Sequence, residues 1–130
     1  MRVDSCEFEA AVVVNNSTII TSGSCYLQLS NSLFRNSGPG GGYLSINGGE
    51  VICNGNQFII TPGSWSNPII GVAIAGFLTF TNNRFTPRGS TGTGISFSGS
   101  SGNSIICNNL LNGWPISGNT SPTIVANNIA

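Results

Sequence analysis

The chain has 130 residues, one domain's worth, with four Arg, four acids and no Lys or His, so its net charge is zero and only 6% of it is charged. A neutral chain with four cations lacks the basic footprint of a nucleic-acid binder and the polybasic patch of a membrane-surface protein. Without His there is no Ser-His-Asp or Cys-His nucleophile system and no imidazole metal site, and four acids leave little for calcium or two-metal chemistry, so neither metal nor cofactor is expected. Gly, Ser, Asn and Thr make up 63 residues, yet 39% are hydrophobic and fall in short β-prone runs. No segment keeps a 3.6 period, and the longest apolar stretch, residues 68–80, contains two Gly and is too short to span a bilayer. The N-terminus carries acids where a secretion signal would carry an apolar core.

Read in chain order, the elements repeat. Cys6-Glu7-Phe8 is a loose first corner, and Val12 to Asn16 a degenerate strand. Leu27-x-Leu29 leads into Ser32-Leu33-Phe34, and a loop from Arg35 to Gly42 follows. Leu44-Ser45-Ile46-Asn47-Gly48 and Val51-x-Cys53 precede Asn56-Gln57-Phe58 and the loop from Thr61 to Ile70. Val72 to Gly76 and Leu78-x-Phe80 precede Asn83-Arg84-Phe85 and the loop from Thr86 to Thr93. Ile95 to Gly99 and Ile106 precede Asn109-Leu110-Leu111. Trp114 to Gly118 and Ile124 precede Asn127-Asn128-Ile129.

A unit of about 25 residues with short alternating strands cannot bury its own apolar face. Stacking the units does so, because each strand pairs in parallel with its copy one turn later. The expected class is therefore all-β: a right-handed parallel β-helix of about five coils, one domain over residues 1–130. The core columns it predicts are Val14, Ile46, Ile74, Phe97 and Ile116; then Leu29, Cys53, Phe80, Ile106 and Ile124; then Phe8, Phe34, Phe58, Phe85, Leu111 and Ile129. The corner Asn tolerates a left-handed backbone, and its amide can bond the same amide in the next coil. An amide ladder is expected through Asn56, Asn83, Asn109 and Asn127. An antiparallel sandwich is the competing arrangement, but it does not require Phe and Asn to return together. No amphipathic capping helix is legible, so the rest of a longer polypeptide or partner subunits are expected to cover the ends.

The Gly-strand-Gly-strand-Asn-Asn-x-Phe unit resembles the pectin-lyase-like right-handed parallel β-helix, most clearly over residues 71–85 and 94–111. Pectin and alginate lyases, polygalacturonases, copper-delivery proteins, adhesins and phage tailspikes share that unit. The Ser/Thr/Asn/Gly-rich, low-charge composition is most similar to phage tailspike and tail-fibre segments. That resemblance implies a homotrimer on a virion tail that contacts a host surface polysaccharide. A polysaccharide hydrolase or lyase of the same fold, or a bacterial surface adhesin segment, are the alternatives, with a cell-surface or secreted location.

Glu7 and Glu9 flank Phe8 and would point outward ~6.6 Å apart, a spacing compatible with an inverting glycosidase pair. The plainer reading is two solvated carboxylates, and the segment is read as non-catalytic. Binding is better supplied: the variable loops carry Arg35, Trp65 and Arg88, and Trp114 follows a shorter corner. A Trp face stacks on a sugar and Arg donates paired hydrogen bonds; the alternative is that both indoles pack against the solenoid wall or a partner subunit. Cys6, Cys25, Cys53 and Cys107 fall in different columns, so four free thiols are expected, which suits assembly in a reducing host cytoplasm.

Overall fold

A computed structural model describes residues 1–10, 19–36, 42–65, 67–73, 76–98, 104–118 and 124–129. The first coil carries β1 (Arg2–Asp4), β2 (Glu7–Ala10) and β3 (Ile19–Thr21), and the second carries β4 (Tyr26–Ser30), β5 (Leu33–Asn36) and β6 (Leu44–Ile46). The third has β7 (Gly49–Asn54), β8 (Gln57–Ile60), the short β9 (Gly63–Ser64) and β10 (Ile70–Val72). The fourth repeats it with β11 (Gly76–Thr81), β12 (Arg84–Pro87), β13 (Ser90–Thr91) and β14 (Ile95–Phe97). β15 (Ile105–Cys107), β16 (Ile116–Ser117) and β17 (Ile124–Ala126) follow.

Every strand pairs in parallel with its counterpart one coil away. Three faces result: sheet A, β1-β4-β7-β11-β15-β17; sheet B, β2-β5-β8-β12; and sheet C, β3-β6-β10-β14-β16. The chain is an all-β parallel solenoid, with no helix among the described residues. Sheet B closes about three turns rather than the expected five. The later corners are too short for a fifth sheet B strand, and Leu110 makes only isolated bridges to Arg84 and Ile129.

Alternation decides what is buried. Leu29, Cys53, Phe80 and Ile106 stack in register and are fully buried. Phe34, Phe58 and Phe85 form the second column, also fully buried. Phe34 and Phe58 lie face to face with ring centroids 4.8 Å apart, and Phe85 meets Phe58 edge-on at 5.5 Å. Leu111 continues the column and is buried.

Four registers differ from the expected ones. On sheet C, Ile46 pairs with Val72, and Ile116 pairs with Ile95 rather than Phe97. The run Ile70-x-Val72-x-Ile74 alternates identically after a two-residue slip, so its pattern alone does not choose. Val14 and Ile74 lie outside the described residues. In the last coil Val125, not Ile124, faces Ile106, and Ile129 pairs with Leu110 rather than Leu111. Ile124 and Ile129 are exposed, not core.

The amide ladder forms with one change and a division of labour. Ser5, Asn31, Asn82, Asn108 and Asn127 take the left-handed backbone, with φ between 49° and 57°. The next residue carries the ladder, so its last rung is Asn128 rather than Asn127. Asn83 Oδ1 accepts from Asn56 N at 2.8 Å, Asn109 Oδ1 from Asn83 N at 2.8 Å, and Asn128 Oδ1 from Asn109 N at 3.0 Å. The amide nitrogens of Asn56, Asn83, Asn109 and Asn128 donate to Leu29 O, Cys53 O, Phe80 O and Ile106 O at 2.9–3.0 Å. Ser32 stands in the same column, accepting from Cys6 N at 3.2 Å.

Asn83→Ala is expected to lower unfolding free energy by about 2–4 kcal/mol, since Asn56 N–H and Cys53 C=O lose partners in a buried corner. Asn82→Gly, which keeps the left-handed turn, should cost far less; urea unfolding of both variants checks the contrast. Outside the same corner, Asp4 accepts from Ser30 Oγ at 2.7 Å and from Asn31 Nδ2 at 3.1 Å, which hold its carboxyl below the usual value. That contribution is fully present above the ordinary carboxylate value, about 4, and is lost as pH falls from there through the lowered value of the folded protein. Hydrogen exchange should show β1 loosening first on acidification, and Asp4→Asn should remove the effect.

Candidate functional site

The middle residue of each Asn-x-Phe corner points outward on sheet B, because the Phe beside it points in. Glu7, Leu33, Gln57 and Arg84 therefore form one outer column, and Arg35, Ile59 and Thr86 the next. Neighbours in a column are ~4.8 Å apart. Three of the chain's four cations, Arg35, Arg84 and Arg88, lie on this face or in the loop that leaves it. All three side chains are exposed.

Their surroundings differ. Arg35 forms an ion pair with Glu7, with side chains 46% and 48% exposed. Such a pair contributes ~0–1 kcal/mol and orients both groups. Gln57 Nε2 donates to Thr86 Oγ1 at 3.0 Å across the next two coils. Arg84 and Arg88 make no ion pair among the described residues. The Arg84 backbone is fixed by N–H to Asn56 O at 2.9 Å, and that of Arg88 by N–H to Ile60 O at 3.1 Å. The face thus holds two unneutralised guanidinium groups on a rigid strand and its exit.

Glu7 and Glu9 are not assembled as a carboxylate pair among the described contacts. Glu7 spends its carboxylate on Arg35, and the side chain of Glu9 lies outside the described residues. Trp65 and Trp114 are 5% and 4% exposed, so neither presents a face to a sugar. The Trp65 ring lies 5.9 Å from Tyr43, and its Nε1 donates to Thr61 O at 3.1 Å. Gly92 fits between the two indoles: a Cβ there would lie 2.9 Å from the Trp114 ring and 2.9 Å from Trp65 Cβ. Both indoles brace the loop against the solenoid wall. Of the expected binding residues, Arg35 and Arg88 are on the surface, and Arg84 joins them. Arg84 was hidden inside an Asn-Arg-Phe corner read as architecture; the outward parity of its middle position was the available signal.

The four cysteines are free. Cys6 is exposed, Cys25 and Cys107 are half-buried, and Cys53 is buried, where desolvation pushes its thiol far above the usual value. No group of three or more His, Cys, Asp or Glu that could hold a metal occurs among the described residues. Comparison with protein-family models, with curated proteins and with solved structures finds no match to this chain.

Alkylation of the native protein should modify Cys6 first and Cys53 only on global unfolding, when all four thiols react. Mass spectrometry over a urea series reads the order, and early modification of Cys53 would contradict its place in the core.

Proposed function

We propose that the chain is a receptor-binding domain of the phage tailspike or tail-fibre kind. In this reading it is a pectin-lyase-like β-helix, homotrimeric, assembled in the host cytoplasm, carried on the virion tail and in contact with host surface polysaccharide. The observation that carries the reading is the arginine face of sheet B. A β-helix supports many unrelated activities, so the weight rests on those side chains rather than on the fold.

Arg84 and Arg88 offer forked donors to carboxylates, phosphates or paired hydroxyls of a polymer. Their backbones are already ordered by the ladder, which lowers the entropic cost of binding. The engagement of Glu7 by Arg35 supports contact over hydrolysis, since that carboxylate is occupied. The ligand this face fits is an acid-bearing polysaccharide, bound more weakly as salt rises.

Affinity electrophoresis against a panel of bacterial capsular and lipopolysaccharides tests the reading. Binding to an acidic polymer should fall about ten-fold or more when Arg84→Ala and Arg88→Ala are combined, as two charge-assisted contacts are lost. Light scattering should give a trimer. A monomer that binds no polysaccharide would overturn the proposal, and release of reducing ends on binding would favour the hydrolase instead.

A further inference from the structure

A second surface, on sheet A, carries a different chemistry. Tyr26, Glu50 and Phe77 occupy one outward column of β4, β7 and β11, in direct register. Their neighbours Leu27, Val51 and Leu78 point inward and are buried, which fixes the outward parity of the three. Tyr26 is 49% and Phe77 43% exposed, so two aromatic side chains flank one exposed carboxylate. All three line a cleft of about 640 Å³ together with Cys25, Gly48 and Gly49. That volume lies within the range of small-molecule sites.

Two of the lining residues are glycines in close contact with the preceding turn. Gly49 has φ +77°, and a Cβ there would lie 2.2 Å from Cys25 O. A Cβ at Gly48 would lie 2.8 Å from Gly23 O. Both turns therefore pack backbone against the preceding turn, and neither position carries a side chain beside Tyr26, Glu50 and Phe77. Glu50 has no ion-pair partner among the described residues. The terminal ammonium of Met1 donates to Tyr26 O at 2.9 Å from the β1 side, and Met1 does not line the cleft. Arg2 pairs in register with Gln28, two positions further along sheet A.

We propose that the Tyr26–Glu50–Phe77 cleft is a binding site for an organic ammonium group. Aromatic faces attract such cations through their quadrupoles, and an apolar skirt around the nitrogen gains from contact with the rings. An unpaired carboxylate between the rings adds charge attraction and repels acidic ligands. Two sources share this chemistry: a trimethylammonium headgroup such as choline, and the free amine of a hexosamine. The site is on a different sheet from Arg84 and Arg88, and it stands whether or not the arginine face binds polysaccharide.

The test is an NMR titration of the intact chain with four small probes. They are choline, its neutral isostere 3,3-dimethylbutanol, glucosamine and glucose. Choline or glucosamine should bind in the millimolar range and shift the Tyr26 and Phe77 signals, and its neutral isostere should bind several-fold more weakly. Preference for choline identifies a quaternary headgroup, and preference for glucosamine an amino sugar. Glu50→Gln should weaken binding about five-fold, the effect of one charge at contact distance in water. Tyr26→Ala with Phe77→Ala should abolish it. All three side chains are exposed, and an unchanged urea midpoint would confirm that each variant folds. Equal affinity for a cation and its isostere, full binding by Glu50→Gln, or no binding of either cation would overturn the proposal.

Discussion

The buried amide column at the A–B corner is the constraint on which the stack depends. A parallel β-helix turns sharply there, and the turn takes backbone groups out of the regular strand ladder. Those groups are buried and must find partners. A Ser, a Cys or an apolar residue supplies only part of what is missing. The Asn amide supplies both an acceptor for the neighbouring coil's N–H and a donor for its C=O, repeated by one coil at each step. Asn56, Asn83 and Asn109 are each buried to within 2% and have both ends satisfied. An unmet pair at one of these corners costs a few kcal/mol, a large share of a domain's marginal stability. The Phe stack beside the column adds apolar burial and confirms the register, but any large apolar side chain of similar volume can do that.

The legible part of the fold was the part set by two residue types returning together. Phe34, Phe58 and Phe85 each lie three residues after the left-handed position of a corner, so a single alignment fixes both inward parity and coil length. Sheet C lacks such a marker. Its strands are pieces of two or three residues, mostly Ile, Val, Leu and Ser, and alternation with period two is unchanged by a two-residue slip. Gly76, the mate of Gly49, suggests the wrong offset when matched to Gly48. In the last coil, adjacent Asn127-Asn128 and Ile124-Val125 make a one-residue shift invisible as well. Trp65 and Trp114 were open to a binding and a packing reading, and their burial bears out packing; Gly92, which lies against both, is a neighbour that no local pattern around either Trp reveals.

The surface sites were less legible than the core for a physical reason. An outward residue has no required partner, so its type carries no periodic signal; only the register says what it stands beside. Tyr26, Glu50 and Phe77 lie 24 and 27 positions apart, and nothing in any one coil marks them as a set. Once the Phe and Asn columns fix the stacking on sheets A and B, those neighbours follow without further assumption. The core columns therefore encode the outer faces indirectly, by setting which exposed side chains from distant segments share a face.

Charge is scarce enough here that its placement matters more than its amount. Among the described strands, sheet A carries Glu50, Asp4 and Arg2, and sheet B carries Glu7, Glu9, Arg35 and Arg84, with Arg88 at its exit. The described outer positions of sheet C are Ser45, Gly71, Ser96 and Ser117, with no charge at all. A chain of zero net charge has little long-range field, so steering of a whole ligand is weak. What remains is short-range selection, and it has opposite sign on the two charged faces. The unpaired guanidinium groups on sheet B favour anions, and the unpaired carboxylate between two rings on sheet A favours cations. A rigid rod with these two surfaces presents opposite local charge on different faces even though its total charge is zero. It can do so because the amide column holds each face in register.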